Sequence, residues 1–142
     1  MASSRSTSLG LIVRVLVAAG LVVDAVVHLR LASQYQLAQP AGIGQGNLFR
    51  IQAVVAVLVA AYVLLRGSRL AFLTAAGVGL SAFAAVVLYR YVQVPGLGPI
   101  PPMYEPVWFF QKSLSAVVEG AAGALALVAA LRAGPAARSR RG

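Results

Sequence analysis

Four apolar segments dominate this chain, at about 9–31, 48–65, 70–89 and 106–131. Each is close to the roughly 20 residues with which an α-helix crosses the hydrocarbon core of a bilayer. No other feature restricts the fold as strongly. The chain is 60% hydrophobic and 11% charged, with a mean hydropathy of +0.84. A soluble domain, in which roughly 25% of residues are charged, could not cover its surface from such a composition. Lipid is therefore the expected solvent. The valine-rich runs favour strands by propensity. In lipid, however, an isolated strand leaves its backbone unpaired, and barrel strands alternate polar with apolar. The expectation is an all-α integral membrane four-helix bundle, a single domain over residues 1–142.

The connections are legible as breaks in this pattern. Residues 32–47 are polar and punctuated by Gly and Pro. "RGSR", Arg66 to Arg69, reads as a tight turn. Residues 90–105 hold four of the seven prolines and read as a semi-rigid extended loop. The basic tail, 132–142, reads as frayed. Arg5, Arg66, Arg69, Arg132, Arg138, Arg140 and Arg141 fall on one side of the four spans. Arg30, Arg50 and Arg90 fall on the other. The positive-inside rule then places both termini in the cytoplasm and the two longer loops outside. Tyr35, Tyr89, Tyr91, Tyr104, Trp108, Phe109 and Phe110 cluster near the outer ends, as an interfacial belt would. The first span is too long, and carries too many charges, for a cleaved signal peptide. An Arg/Ala/Val-rich composition points to a GC-rich bacterial genome and so to a bacterial cytoplasmic membrane.

Composition also excludes chemistry. There is no cysteine and one histidine, so disulfides, thiolate catalysis, cysteine-ligated zinc and iron–sulfur clusters are out. No metal and no cofactor are expected. The net charge of +9 would suggest nucleic acid in a soluble protein. Here the arginines flank apolar spans, so anionic lipid headgroups are their expected partners. A second copy of the chain, or another membrane protein, is the other expected partner.

Four charges lie well inside the spans: Arg14 and Asp24 in the first, Lys112 and Glu119 in the fourth. Each costs about 2.5–3.5 kcal/mol on insertion scales, so pairing is expected. On antiparallel helices, equal depth sets Asp24 opposite Lys112. Arg14 then falls opposite Glu119, three residues out of register, or about 4.5 Å of rise. The same register sets Gly20 opposite Ala116 and His28 opposite Trp108 or Glu105. Gly20, Asp24 and His28 form one stripe at i, i+4, i+8. Such pairs commonly fix register and add little stability. Arg14 could instead snorkel to the cytoplasm without an acid.

A sharper reading makes Asp24, His28, Lys112 and Glu119 a proton or ion path, or the floor of an outward pocket. Its rim would comprise Tyr35, Arg50, Gln52, Arg90, Tyr104, Glu105 and Trp108. Glu105 before Pro106 also reads as a helix start, with proline first and an acid at the positive dipole end. Trp108 also reads as an interfacial anchor. Small residues mark packing faces: Ala116, Gly120 and Ala124 on the fourth helix, Gln52, Ala56 and Ala60 on the second, and Gly77 and Ser81 on the third.

No phosphate-binding or G-x-S-x-G motif is present. A serine nucleophile would need Ser33, Ser113 or Ser115 beside His28, with Asp24 orienting the ring. No catalytic residue is assigned. The leading reading is a non-enzymatic membrane protein or accessory subunit. The alternative is a small proton-, ion- or solute-conducting protein. A membrane enzyme or quinone-linked redox component ranks third.

The pieces "DAVVHLRLA", "GNLFRIQAVVAVL", "YRYV" and "MYEPVWFFQKSLSAVVE" resemble an uncharacterised group of small four-span membrane proteins of high-GC bacteria. The resemblance extends over roughly Leu11 to Leu131. It implies a four-helix membrane fold and brings no catalytic residues with it. A looser likeness is to DoxX-like four-span proteins, some of them linked to quinone or thiosulfate oxidation.

Overall fold

The computed structural model describes residues 2–38 and 43–134, with side chains over 7–37 and 43–134. Residues 39–42 of the first loop, the tail beyond 134 and the side chains of Arg5, Arg138, Arg140 and Arg141 lie outside the described residues. The described residues form four helices in sequence order: α1 (Ala2–Ala38), α2 (Gly44–Arg66), α3 (Arg69–Tyr91) and α4 (Phe110–Arg132). All four are long and apolar enough to cross a membrane. Their outward faces carry Leu, Ile and Val, among them Leu16, Ile12, Leu58, Leu70 and Val117. Four apolar helices with this exterior fit a multi-pass membrane protein.

The helix limits depart from the sequence expectation at one end of the bundle. α1 continues to Ala38 through residues expected to be loop. The stretch 32–38 holds no proline or glycine, so nothing in it interrupts the backbone hydrogen bonds. α4 begins at Phe110, four residues after Pro106. Glu105 therefore does not start the helix. It lies in extended chain, its N–H donating to Tyr89 O at 2.9 Å, which keeps α4 from beginning earlier.

The "RGSR" turn is as expected. Gly67 ends α2 at φ 53°, a left-handed conformation that favours glycine, and its N–H donates to Val63 O. Ser68 then caps α3, its Oγ accepting from Ala71 N at 3.2 Å. The proline-rich segment is a narrow antiparallel hairpin, not a simple extended loop. Val94 pairs with Met103, and Leu97 with Ile100. Gly98, at φ 57°, makes the turn. The prolines fall where no ladder N–H is needed, so they do not oppose the pairing.

α1 packs on α2, and α3 packs on α4. α4 also closes against α1. The close approaches are made by small residues. A Cβ on Gly20 would sit 2.7 Å from Ala122 Cβ, and one on Gly79 would sit 2.9 Å from the Glu119 carbonyl oxygen. Gly79 and Gly123, rather than Gly77 and Ser81, therefore make the α3–α4 contact. Nothing lies within 4 Å of a Cβ on Gly77. Residues two apart lie on nearly opposite faces of a helix, so choosing Gly77 over Gly79 selects the wrong face. Ala124 is likewise exposed, while Ala122, Gly123 and Ala126 are buried. At the end that holds the termini and the RGSR turn, the core is wholly apolar. Val17, Leu21, Val59, Val63, Phe72 and Ala126 form it.

Candidate functional site

The other half of the bundle is polar inside. Asp24 and Glu119 are each 1% exposed. They come from α1 and α4, and one ligating atom from each lies within 4.8 Å of the other and of a His28 ring nitrogen. Asp24 and His28 are one helical turn apart. The ring's Nδ1 lies 2.8 Å from Asp24 Oδ1 and 3.1 Å from the Asp24 carbonyl oxygen. Both neighbours are acceptors, so Nδ1 carries a hydrogen, and in the neutral ring Nε2 then carries the lone pair. Nε2 faces Glu119 Oε1 at 3.9 Å.

Donors are unevenly shared between the two acids. Asp24 is well supplied: His28 at Oδ1, Gln52 Nε2 at Oδ2 (3.1 Å), and Ser115 Oγ beside Oδ1 (3.1 Å). Ser115 Oγ also lies 2.6 Å from Glu119 Oε1. One hydroxyl has one hydrogen, so it cannot donate to both carboxylates. Glu119 Oε2 is buried with no partner at all. Glu119 is thus the undersupplied acid. Two carboxylates face one imidazole in an apolar bundle, and the arrangement calls for a proton or a cation at Glu119.

The expected ion pairs do not form. Among the described residues no salt bridge joins Asp24 to Lys112 or Arg14 to Glu119. Lys112 Nζ donates to the Glu105 carbonyl oxygen and lies 5.3 Å from the centre of the Trp108 ring. The Arg14 guanidinium packs against Gly67 in the α2–α3 turn. Side chains on a helix tilt toward its N-terminus. For Lys112 that is the hairpin end, and for Arg14 the termini end. Both cations are therefore carried away from the acids, and Arg14 follows its snorkelling alternative. The α1–α4 register differs accordingly. Gly20 meets Ala122 instead of Ala116, and Asp24 meets Ser115 instead of Lys112. These offsets of three to six residues correspond to roughly 4.5–9 Å of rise. Small-residue contact, not charge matching, sets the register.

A cavity of about 250 Å³ opens above this cluster. His28, Gln52 and Ser115 form its floor, and Lys112 and Glu105 stand on its polar side. Tyr35, Phe49, Tyr89 and Phe109 give it an aromatic wall, completed by Leu31, Leu48 and Val86. Phe49 stands edge-on to both His28 and Tyr35, with ring centres 5.1 and 5.0 Å away. The hairpin contributes Met103 and covers one side. Tyr35 Oη donates to Glu105 Oε2 at 3.1 Å, tying the end of α1 to the segment after the hairpin.

Of the expected rim, Tyr35, Gln52 and Glu105 line the cavity. Arg50 bonds Asn47 at the surface, Arg90 stacks on Tyr91, and Trp108 is exposed. Tyr104 borders a shallow surface groove on the hairpin. The aromatic belt thus divides: Tyr35, Tyr89 and Phe109 turn inward, while Tyr91, Tyr104, Trp108 and Phe110 stay exposed. Phe49, Ala82, Ala85 and Val86 also line the cavity and carry no chemical signature in the sequence. In the sequence Ser115 stands out only as a candidate nucleophile. Its hydroxyl goes to Asp24 and Glu119, and it makes no hydrogen bond with His28, so a serine–histidine catalytic pair is not assembled. Lys112, Ser115 and Glu119, at i, i+3 and i+7, share the face of α4 that meets the cavity and cluster.

No protein-family model matches this chain, and no curated protein or solved structure is similar to it.

Proposed function

We propose that this chain is a non-enzymatic, multi-pass protein of a bacterial cytoplasmic membrane, acting alone or as an accessory subunit. Both termini face the cytoplasm. Its task is to capture a small, largely apolar molecule in the aromatic cavity, entering from the outer face, and to hold that molecule's polar end over the floor of His28, Gln52 and Ser115. One observation carries this reading: a cavity with an aromatic wall opens onto His28 and Ser115, which contact the buried acids Asp24 and Glu119 beneath it. A purely structural latch would be dry and fully paired, with no such space beside it. Ligand sites combine apolar walls with a few convergent polar groups in this way.

Conduction through the protomer is the weaker reading. Between the cluster and the termini end stand Val17, Leu21, Val59, Val63 and Ala126, all buried and apolar. No titratable side chain continues the path among the residues of that core.

The cavity reading is tested by what the protein retains. Small molecules extracted from protein purified out of its native membrane are identified by mass spectrometry, for wild type and for Ala85→Phe, which fills the cavity. A species retained by the wild type and lost by a folded Ala85→Phe variant is expected. Identical extracts from both would remove the cavity as the binding site.

A further inference from the structure

Asp24, His28 and Glu119 each bring one ligating atom to within 4.8 Å of the other two. His28 Nε2 and Glu119 Oε1 are 3.9 Å apart. That is too long for a direct hydrogen bond, which needs about 2.7–3.2 Å. It is too short for one bridging water, which at bonds of about 2.8 Å and a tetrahedral angle separates its two partners by roughly 4.6 Å. Two ligands on a tetrahedral metal ion, each at about 2.0 Å, stand about 3.3 Å apart. The observed gap exceeds that by roughly 0.6 Å, an adjustment comparable with the one a direct hydrogen bond or a bridging water would need. The Glu119 oxygen without a partner, Oε2, is on the same carboxylate.

We propose that this cluster is a binding site for one divalent transition-metal ion of the zinc class. His28 Nε2 and the Glu119 carboxylate bind the ion directly. Asp24 holds the ring from behind, through Nδ1, in the carboxylate–histidine–metal arrangement that fixes the tautomer and raises the basicity of the ligating nitrogen. Gln52 and Ser115 hold Asp24 in turn. The charge balances: two buried carboxylates against one divalent cation leave the floor neutral, which a lipid-embedded bundle favours. An imidazole nitrogen selects zinc-class ions over magnesium and calcium, which prefer all-oxygen shells. His28 and Ser115 line the cavity while Asp24 and Glu119 lie buried beneath it, so water or a polar group of a bound molecule would reach the ion past His28. The site deepens the cavity reading above by giving its floor a Lewis-acidic centre.

The test is cobalt(II) titration of chelator-treated, detergent-purified full-length protein, followed by visible absorption and zinc competition. One equivalent per chain is expected, displaced by zinc and not by millimolar magnesium. Nitrogen hyperfine coupling in the electron paramagnetic resonance spectrum of bound cobalt should report one imidazole. His28→Gln and Glu119→Gln should abolish stoichiometric binding. Asp24→Asn should weaken it about 10- to 100-fold, as loss of an outer-shell partner does. Arg50→Ala, away from the site, should bind as wild type. Failure of the wild type to bind cobalt stoichiometrically overturns the site whether or not the variants fold. So does unchanged binding by folded His28→Gln and Glu119→Gln. Ala85→Phe separates the two proposals: it should keep cobalt while losing the molecule held in the cavity.

Discussion

Glu119 sits where a bilayer protein would be expected to place a leucine. Its second oxygen has no donor, and its first shares a single serine hydrogen with Asp24. An unsatisfied buried group costs about 1–3 kcal/mol, more if charged. Glu119→Gln keeps the shape, removes the charge and adds a donor toward Ser115 and Asp24. In metal-free protein it should raise the apparent melting temperature by roughly 2–4 °C for each kcal/mol recovered. Glu119→Ala, which leaves a void instead, should lower it. Thermal scans of the three chelated proteins in one detergent check the order. A Glu119→Gln protein less stable than wild type would mean that the carboxylate is satisfied after all.

The same residue shows the limit of reading charge from a linear sequence. That Asp24, His28 and Glu119 belong near one another was legible, because each is expensive in lipid and they lie on two helices at similar depth. Which of them touch was not. The tilt of side chains toward helix N-termini takes Lys112 to Glu105 and Trp108, and Arg14 to the Gly67 turn.

Among helices, small residues decide which faces meet. In lipid, association relies on close packing, because the tails are as apolar as the side chains. Gly20 against Ala122 closes α1 on α4, and Gly79 against Gly123 closes α3 on α4. Gly79→Leu should force α3 away from the α4 backbone and cost on the order of 1–3 kcal/mol as overpacking. Gly77→Leu, with open space around it, should be nearly neutral. Size-exclusion profiles after a temperature series distinguish them, and equal loss from both substitutions would contradict the observed α3–α4 face. The sequence displays both glycines without ranking them, since the choice depends on rotation about the helix axis. The α1 extension to Ala38 and the α4 start at Phe110 are similar cases. Both depend on what the hairpin and the α2 entry leave uncovered.

For the molecule as a whole, polarity is divided along the bundle axis: an aromatic cavity and charged floor at the hairpin end, and an apolar plug at the termini end. Proton flux in proteoliposomes should therefore stay at the level of empty vesicles for wild type, Asp24→Asn and Glu119→Gln alike. Flux in the wild type that either substitution abolishes would restore the conduction reading. The chain's lack of cysteine allows its sidedness to be mapped directly. In spheroplasts, Leu97→Cys on the hairpin should react with an impermeant maleimide, and Arg66→Cys at the α2–α3 turn should react only after permeabilisation. The reverse pattern would invert the topology.

Length, hydropathy and the placement of arginines were enough to specify four apolar helices and to propose which way they face, because these properties depend on the chain's exchange with its solvent and scarcely on partners. The cavity, the division of donors between Asp24 and Glu119, and the gap between His28 and Glu119 needed the packed bundle. They arise where side chains from all four helices converge. Their distances depend on helix rotation and register, which are set by a few glycine and alanine contacts too weak in sequence signal to be ranked in advance.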